Sequence, residues 1–244
     1  PAAMPVAPVL AIPDRMTFFD DAQAERAWQA ALEQLQAAGV TLKPVDFTPF
    51  SRLAEQLYQG AWVAERTAAV GEMLRHPGEM DPTVWQIVSA GEGYSAVEAF
   101  QAEYLRAGLA RQIADVLAGV DGLVVPTSPT IRPREEMLRE PIRYNSQFGT
   151  YTNFTNLADL SALALPAPFR ADGLPAGITL LAPAWHDRAL ADFGLRWQRQ
   201  LALPLGATGQ PFTAQSRELP PSDEPVRVAV VGAHLRGVPL NFQL

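Results

Sequence analysis

Histidine, lysine and serine are the residues that could act as base or nucleophile in this 244-residue sequence, and their spacing fits few known chemistries. The histidines are His76, His186 and His234, far apart, and no Gly-x-Ser-x-Gly turn accompanies them. A Ser–His–acid triad assembles in space, so chain order alone does not exclude one. His76, however, stands beside Pro77 at an expected helix end, and His186 precedes a helix, so local capping is the expected role of both. No His-Glu-x-x-His or comparable ligand spacing occurs. Lys43 is the sole lysine and lacks the glycines of a phosphate loop. Gly91-Glu92-Gly93-Tyr94-Ser95-Ala96 spells a dinucleotide-binding pattern, but no strand precedes it, and it reads as a chance match. The residues therefore call for no cofactor and no metal.

Composition narrows the classes further. With 48% hydrophobic and 18% charged residues the chain can fill a core. Every long apolar stretch is interrupted by Pro, Gly or charge, so no membrane span is expected. Pro1, Pro5, Pro8 and Pro13 interrupt the apolar opening, and no basic residue precedes it, which is unlike a signal peptide. The absence of cysteine fits a cytoplasmic protein, and Asn153-Phe154-Thr155 is then a glycosylation sequon by spelling only. Nineteen basic residues against 26 acidic ones give a net charge of −7, without the basic stripe that nucleic-acid binding requires.

The elements that must position any site follow from the patterning. Val9–Ile12, closed by Pro13, suits a strand. Asp20 and Asp21 open a helix with Trp28, Leu32 and Leu35 on one face, and Gly39 stops it before a strand over Val40–Val45. This strand–helix–strand unit is the element of a parallel α/β sheet. A long helix is expected from Phe50 to about Arg75, with Leu53, Leu57, Trp62, Val63 and Val70 among its apolar positions. Ser95 and Glu98 form a capping box for a helix carried by Val97, Phe100, Tyr104 and Ile113. Val120–Val125 reads as a buried strand, and Arg132, Arg134, Arg139 and Arg143 as a solvated loop with a homodimer contact left open. Helical structure over Tyr151–Leu163, a turn at Pro166 and Pro168, a strand over Ala176–Leu181 and a helix over Asp187–Gln200 complete the pattern. The five tryptophans read as core or interface. Residues 206–225 read as a linker, and Val226–Val231 as the first strand of a further domain.

Two stretches together resemble the amidase signature family. One runs Asn153-Phe154-Thr155-Asn156-Leu157-Ala158-Asp159-Leu160-Ser161-Ala162-Leu163-Ala164-Leu165-Pro166. The other runs Gly173-Leu174-Pro175-Ala176-Gly177-Ile178-Thr179-Leu180-Leu181-Ala182-Pro183. In the second, Gly173 and Gly177 would permit a turn and a close backbone approach. Pro126-Thr127-Ser128-Pro129-Thr130 resembles the family's strand end beside the substrate pocket. Within the family, Phe148-Gly149-Thr150-Tyr151-Thr152-Asn153-Phe154, the run Tyr58 to Arg66 and Val228-Ala229-Val230-Val231-Gly232-Ala233-His234-Leu235 resemble the allophanate hydrolases. The resemblance implies an α/β amidase-signature fold, a mixed, mostly parallel sheet flanked by helices, present as its C-terminal half. Residues 1–205 would be that half, 206–225 the linker and 226–244 the start of a truncated second domain.

The family hydrolyses amides through an acyl-enzyme, with a serine nucleophile, a bridging cis-serine and a lysine base. This sequence has no adjacent serine pair, and Lys43 precedes Pro44 at the start of an ordinary strand. The triad is therefore expected on an amino-terminal half of the amidase domain, with which this chain would partner, and no catalytic residue is assigned. The resemblance assigns Tyr58 and Arg66 to substrate binding: a guanidinium matches the planar carboxylate of allophanate with two parallel hydrogen bonds. On one helix the two residues would differ by roughly 80° around the axis and ~12 Å along it, within reach of one small pocket. The alternative is that Arg66 pairs with Glu65 or Glu72 at the surface while Tyr58 fills a gap. A non-catalytic partner subunit, or an amidase of different substrate range, are the competing readings of the whole.

Overall fold

The structure, a computed structural model, describes residues 4–212. In chain order the elements are β1 (Val9–Pro13), α1 (Ala22–Ala37), β2 (Thr41–Val45), α2 (Thr48–Gln59), α3 (Val63–Val70), α4 (Pro82–Ser89) and α5 (Ala96–Leu117). There follow β3 (Gly122–Pro126), α6 (Arg134–Arg139), α7 (Pro141–Phe148), α8 (Phe154–Leu157), β4 (Leu160–Ala167), β5 (Ala176–Pro183) and α9 (Asp187–Leu201). Val226–Val231, His234 and the linker from residue 213 onward lie outside the described residues.

The strands form one sheet in the order β2-β1-β3-β5-β4. β1 pairs in parallel with β2 and with β3, as the strand–helix–strand reading requires, and β5 pairs antiparallel with β3 and β4. The sheet is thus mixed as expected, though with its parallel portion confined to the β2-β1-β3 side it is half parallel and not mostly so. Alternation along the strands divides the core in two. Val124 of β3 and Leu180 of β5 face α1 and α9, packing with Trp28, Leu35, Phe193 and Trp197. Their neighbours Leu123, Val125 and Leu181 face α2, α5 and α8, packing with Phe50, Leu53, Leu109, Ile113 and Phe154. All of β3 is buried, as a central strand covered on both faces must be.

Several expectations need correction. The helix expected from Phe50 to Arg75 is broken: α2 ends at Gln59, Gly60 is extended (φ −125°, ψ 179°), and a 3-10 turn over Gly71–Arg75 follows α3. Glycine is the weakest helix former after proline, and here it is where the chain turns. Of the helical stretch expected over Tyr151–Leu163, only Phe154–Leu157 is helical; Asp159 takes a left-handed φ of 53° and the chain then enters β4. Pro166 lies inside β4, opposite Gly177, instead of marking a turn. β4 is an edge strand, where a residue without an N–H breaks no ladder. The arginine loop is two short helices, α6 and α7. Val97, Phe100 and Tyr104 are 64–72% exposed, so α5 is buried through Leu109, Ile113 and Leu117 in its second half. Trp185 is 91% exposed and not a core residue.

Other details agree. Asp21 caps α1 through a hydrogen bond from the Ala24 N–H (3.0 Å), and Ser95 and Glu98 form the expected capping box. Gly173 adopts φ +81°. A Cβ on Gly177 would lie 2.9 Å from Thr127 Oγ1 and 3.2 Å from the Leu165 carbonyl, which is the close approach the sequence suggests. No helix among the described residues is long and apolar enough to cross a membrane.

Candidate functional site

Because β1, β2 and β3 run parallel, their carboxyl ends share one edge of the sheet, the edge at which open α/β sheets receive ligands. The loop after β1, the start of α2 and the loop after β3 meet there. Two adjoining hollows of about 470 Å³ and 430 Å³ open beside them, sharing Ser51, Glu55 and Thr150. The first is bordered by Asp14, Arg15, Asp46 and Arg52. The second is bordered by Phe19, Tyr58, Arg143, Gln147 and Asn153. A smaller hollow of about 270 Å³ lies between α1 and the end of β3, against Thr127, Ser128 and Gly177.

The loops are held by buried polar contacts. Asp21 Oδ2 accepts from Thr130 Oγ1 (3.2 Å), the Ile131 N–H (3.2 Å) and Arg170 Nη1 (2.8 Å). Arg170, with only 7% of its side chain exposed, also forks onto Asp172. Burial pushes the Asp21 carboxyl upward, but hydrogen bonds from Arg170, Ala24 and Ile131 outweigh it and hold its pKa below the ordinary value. The cluster braces three loops. Tyr151 braces the middle of the loop after β1, its hydroxyl accepting from the Thr17 N–H (2.7 Å) and donating to the Thr17 carbonyl (3.3 Å). Burial raises the Tyr151 pKa, so the phenol stays protonated. Thr127 and Thr179 hydroxyls share a 2.9 Å hydrogen bond that ties the end of β3 to β5.

Tyr58 and Arg66 meet, though not as two residues of one helix. Tyr58 is in the last turn of α2 and Arg66 in α3, and the bend at Gly60 lays the Arg66 guanidinium over the Tyr58 ring, 4.6 Å from its centroid. Tyr58 is 39% exposed and lines the 430 Å³ hollow, whereas Arg66 backs Tyr58 and is not part of that wall. Among the described residues neither Glu65 nor Glu72 is ion-paired with Arg66; Glu72 pairs with Arg75 at 3.0 Å. Arg143, Gln147 and Asn153 are wall residues that sequence reasoning missed. Arg143 belongs to the arginine stretch that reads as solvated, Gln147 lies in no stretch that the sequence singles out, and only Asn153 lies in a run that carries the family resemblance. The remaining candidates are local. His186 and His76 stand at helix ends without the side-chain capping hydrogen bonds expected of them, His186 placing Nδ1 3.1 Å from the Ala184 carbonyl instead, and Lys43 lies in the exposed edge strand β2.

The family model described as Amidase matches residues 9–191. This chain belongs to the amidase family. The member is 39% identical over 249 residues to the urea amidolyase of Lachancea kluyveri, a match covering 96% of this chain and 14% of that protein. It is 28% identical over 194 residues to an amidase of Pseudomonas putida, covering 75% of this chain and 41% of that one. Among solved structures, the Kluyveromyces lactis allophanate hydrolase superposes with a TM-score of 0.85 at 36% identity, over 99% of this chain and 41% of that chain. This amidase chain therefore spans well under half the length of these relatives, and its mixed α/β sheet is the one the family resemblance implies.

Proposed function

We propose that this chain is the substrate-binding part of an amide hydrolase acting on allophanate, in urea or s-triazine breakdown, and that the serine, cis-serine and lysine lie on another segment of the same amidase domain. The observation that carries the reading is Tyr58 at the wall of a small hollow, with Arg66, unpaired among the described residues, set against its ring just outside that wall. A guanidinium left without a carboxylate partner retains its donors for an anionic substrate, and the Tyr58 ring holds it by a cation–π contact. Tyr58 offers a hydroxyl at the same wall. The likeness to the K. lactis allophanate hydrolase and to urea amidolyase supports this substrate over other amides. The sequence has no adjacent serine pair, which supports placing the nucleophile elsewhere.

Arg66→Lys in the full-length protein tests the assignment. Lysine keeps the charge and loses the fork, so KM for allophanate should rise about 10- to 100-fold, the worth of one hydrogen bond to a charged group. An unchanged KM removes Arg66 from the site.

A further inference from the structure

Arg132, just past the end of β3, is not the solvated residue its sequence context suggests. Its Nη2 donates to the Phe19 carbonyl (2.9 Å) and its Nε to Gln147 Oε1 (3.3 Å). Its Nη1 stands 3.6 Å from the Glu136 carboxylate, and its guanidinium carbon lies 5.1 Å from the centroid of the Tyr144 ring. Only 22% of the side chain is exposed. Phe19 and Gln147 belong to separate elements, the loop after β1 and α7, yet both border the hollow lined by Tyr58. Phe19 and its neighbour Asp20 both adopt left-handed backbone, at φ 52° and 64°. Residues bearing a Cβ persist in that conformation only where their surroundings enforce it, and such strain gathers at working sites.

We infer that Arg132 is a positioning residue for the pocket: its planar fork ties the strained Phe19 loop to α7 and so sets the gap that faces Tyr58. This rests on the reading that Tyr58 faces the substrate. The arrangement needs arginine, because two acceptors on different elements are met by two donors whose relative direction is fixed by one plane. Lysine can follow one acceptor or the other, and the wall then loosens. Neither Arg132 nor Gln147 has to touch substrate for this to matter, since a misplaced wall costs binding before it costs chemistry.

The test compares Arg132→Lys, Gln147→Leu and Tyr58→Phe in the full-length protein, reading KM and kcat for allophanate together with the thermal midpoint. Arg132→Lys should raise KM roughly tenfold, the effect of losing one charge-assisted hydrogen bond, and lower kcat much less. Gln147→Leu, which removes the Nε acceptor without touching the charge, should shift KM in the same direction by a smaller factor. Combining Arg132→Lys with Tyr58→Phe should give less than the product of the single effects, because both act on one pocket. If Tyr58→Phe raises KM while both Arg132→Lys and Gln147→Leu leave it alone, the positioning role is wrong and the substrate reading stands. If none of the three moves KM, both fall. A drop in thermal midpoint with KM unchanged identifies Arg132 as a structural clamp only, and overturns the inference.

Discussion

Replacing Asp21 by alanine removes four hydrogen bonds at once: those from Ala24 N–H, Thr130 Oγ1, Ile131 N–H and Arg170 Nη1. Loss of the helix cap alone costs about 1 kcal/mol. Stranding a buried charge costs about 3–5 kcal/mol when no partner remains, but Arg170 keeps Asp172, so the lower end applies. A total of about 3–4 kcal/mol lowers the thermal midpoint of a chain this size by roughly 6–15 °C. Asp21→Asn keeps the cap geometry and loses the charge, so it should fall about half as far. The pH dependence has a definite sign. The folded-state pKa of Asp21 lies below its ordinary value of about 3.9, so the stabilisation is complete above that pH and disappears as pH falls through the lowered folded value. The stability difference between parent and Asp21→Asn, measured by denaturant melts, should therefore be widest near neutrality and shrink below about pH 4. A midpoint shift under about 2 °C for Asp21→Ala, or a difference that grows on acidification, would refute the assignment of this carboxylate as the loop brace.

Two further perturbations read the packing around α3 and α5. Gly91→Ala would drive a Cβ into Thr67 Oγ1 and place it 2.9 Å from both Ala64 Cα and the Val63 carbonyl, so it should destabilise by about 1–3 kcal/mol in chemical denaturation. Thr67 cannot yield cheaply, because its hydroxyl is already hydrogen-bonded to the Val88 carbonyl at 2.6 Å. Ser95→Ala removes one half of the capping box of α5 and should cost about 1 kcal/mol, visible as faster amide exchange in the first turns of that helix.

The parallel core was legible because it is local and periodic. Val9–Pro13 and Gly122–Pro126 are short apolar runs closed by proline, Thr41–Val45 follows the helix-stopping Gly39, and α1 shows its buried stripe in Trp28 and Leu35. Caps were legible for the same reason: Ser95 and Glu98 lie three residues apart on one turn. The break at Gly60 was hidden because apolar residues recur at helical spacing on both sides of it, and one glycine does not by itself end a helix. β4 was hidden because Leu160 and Leu163 stand at helical spacing among serine and alanines, so a short apolar run there reads as helix as readily as strand. Tyr58 and Arg66 could be named only through the family resemblance, and the geometry that joins them depends on the unforeseen bend. The roles of Arg132 and Asp21 depend on partners more than a hundred residues away, which no local pattern records.

We propose that this chain shapes the substrate pocket while the nucleophile belongs to another segment. Ammonia release from allophanate, measured for the purified 244-residue chain and for the same chain joined to a serine-bearing amino-terminal amidase segment, tests it most directly. Release at the buffer rate is expected from the chain alone, and enzymatic turnover from the joined polypeptide. Enzymatic turnover by the chain alone would contradict it.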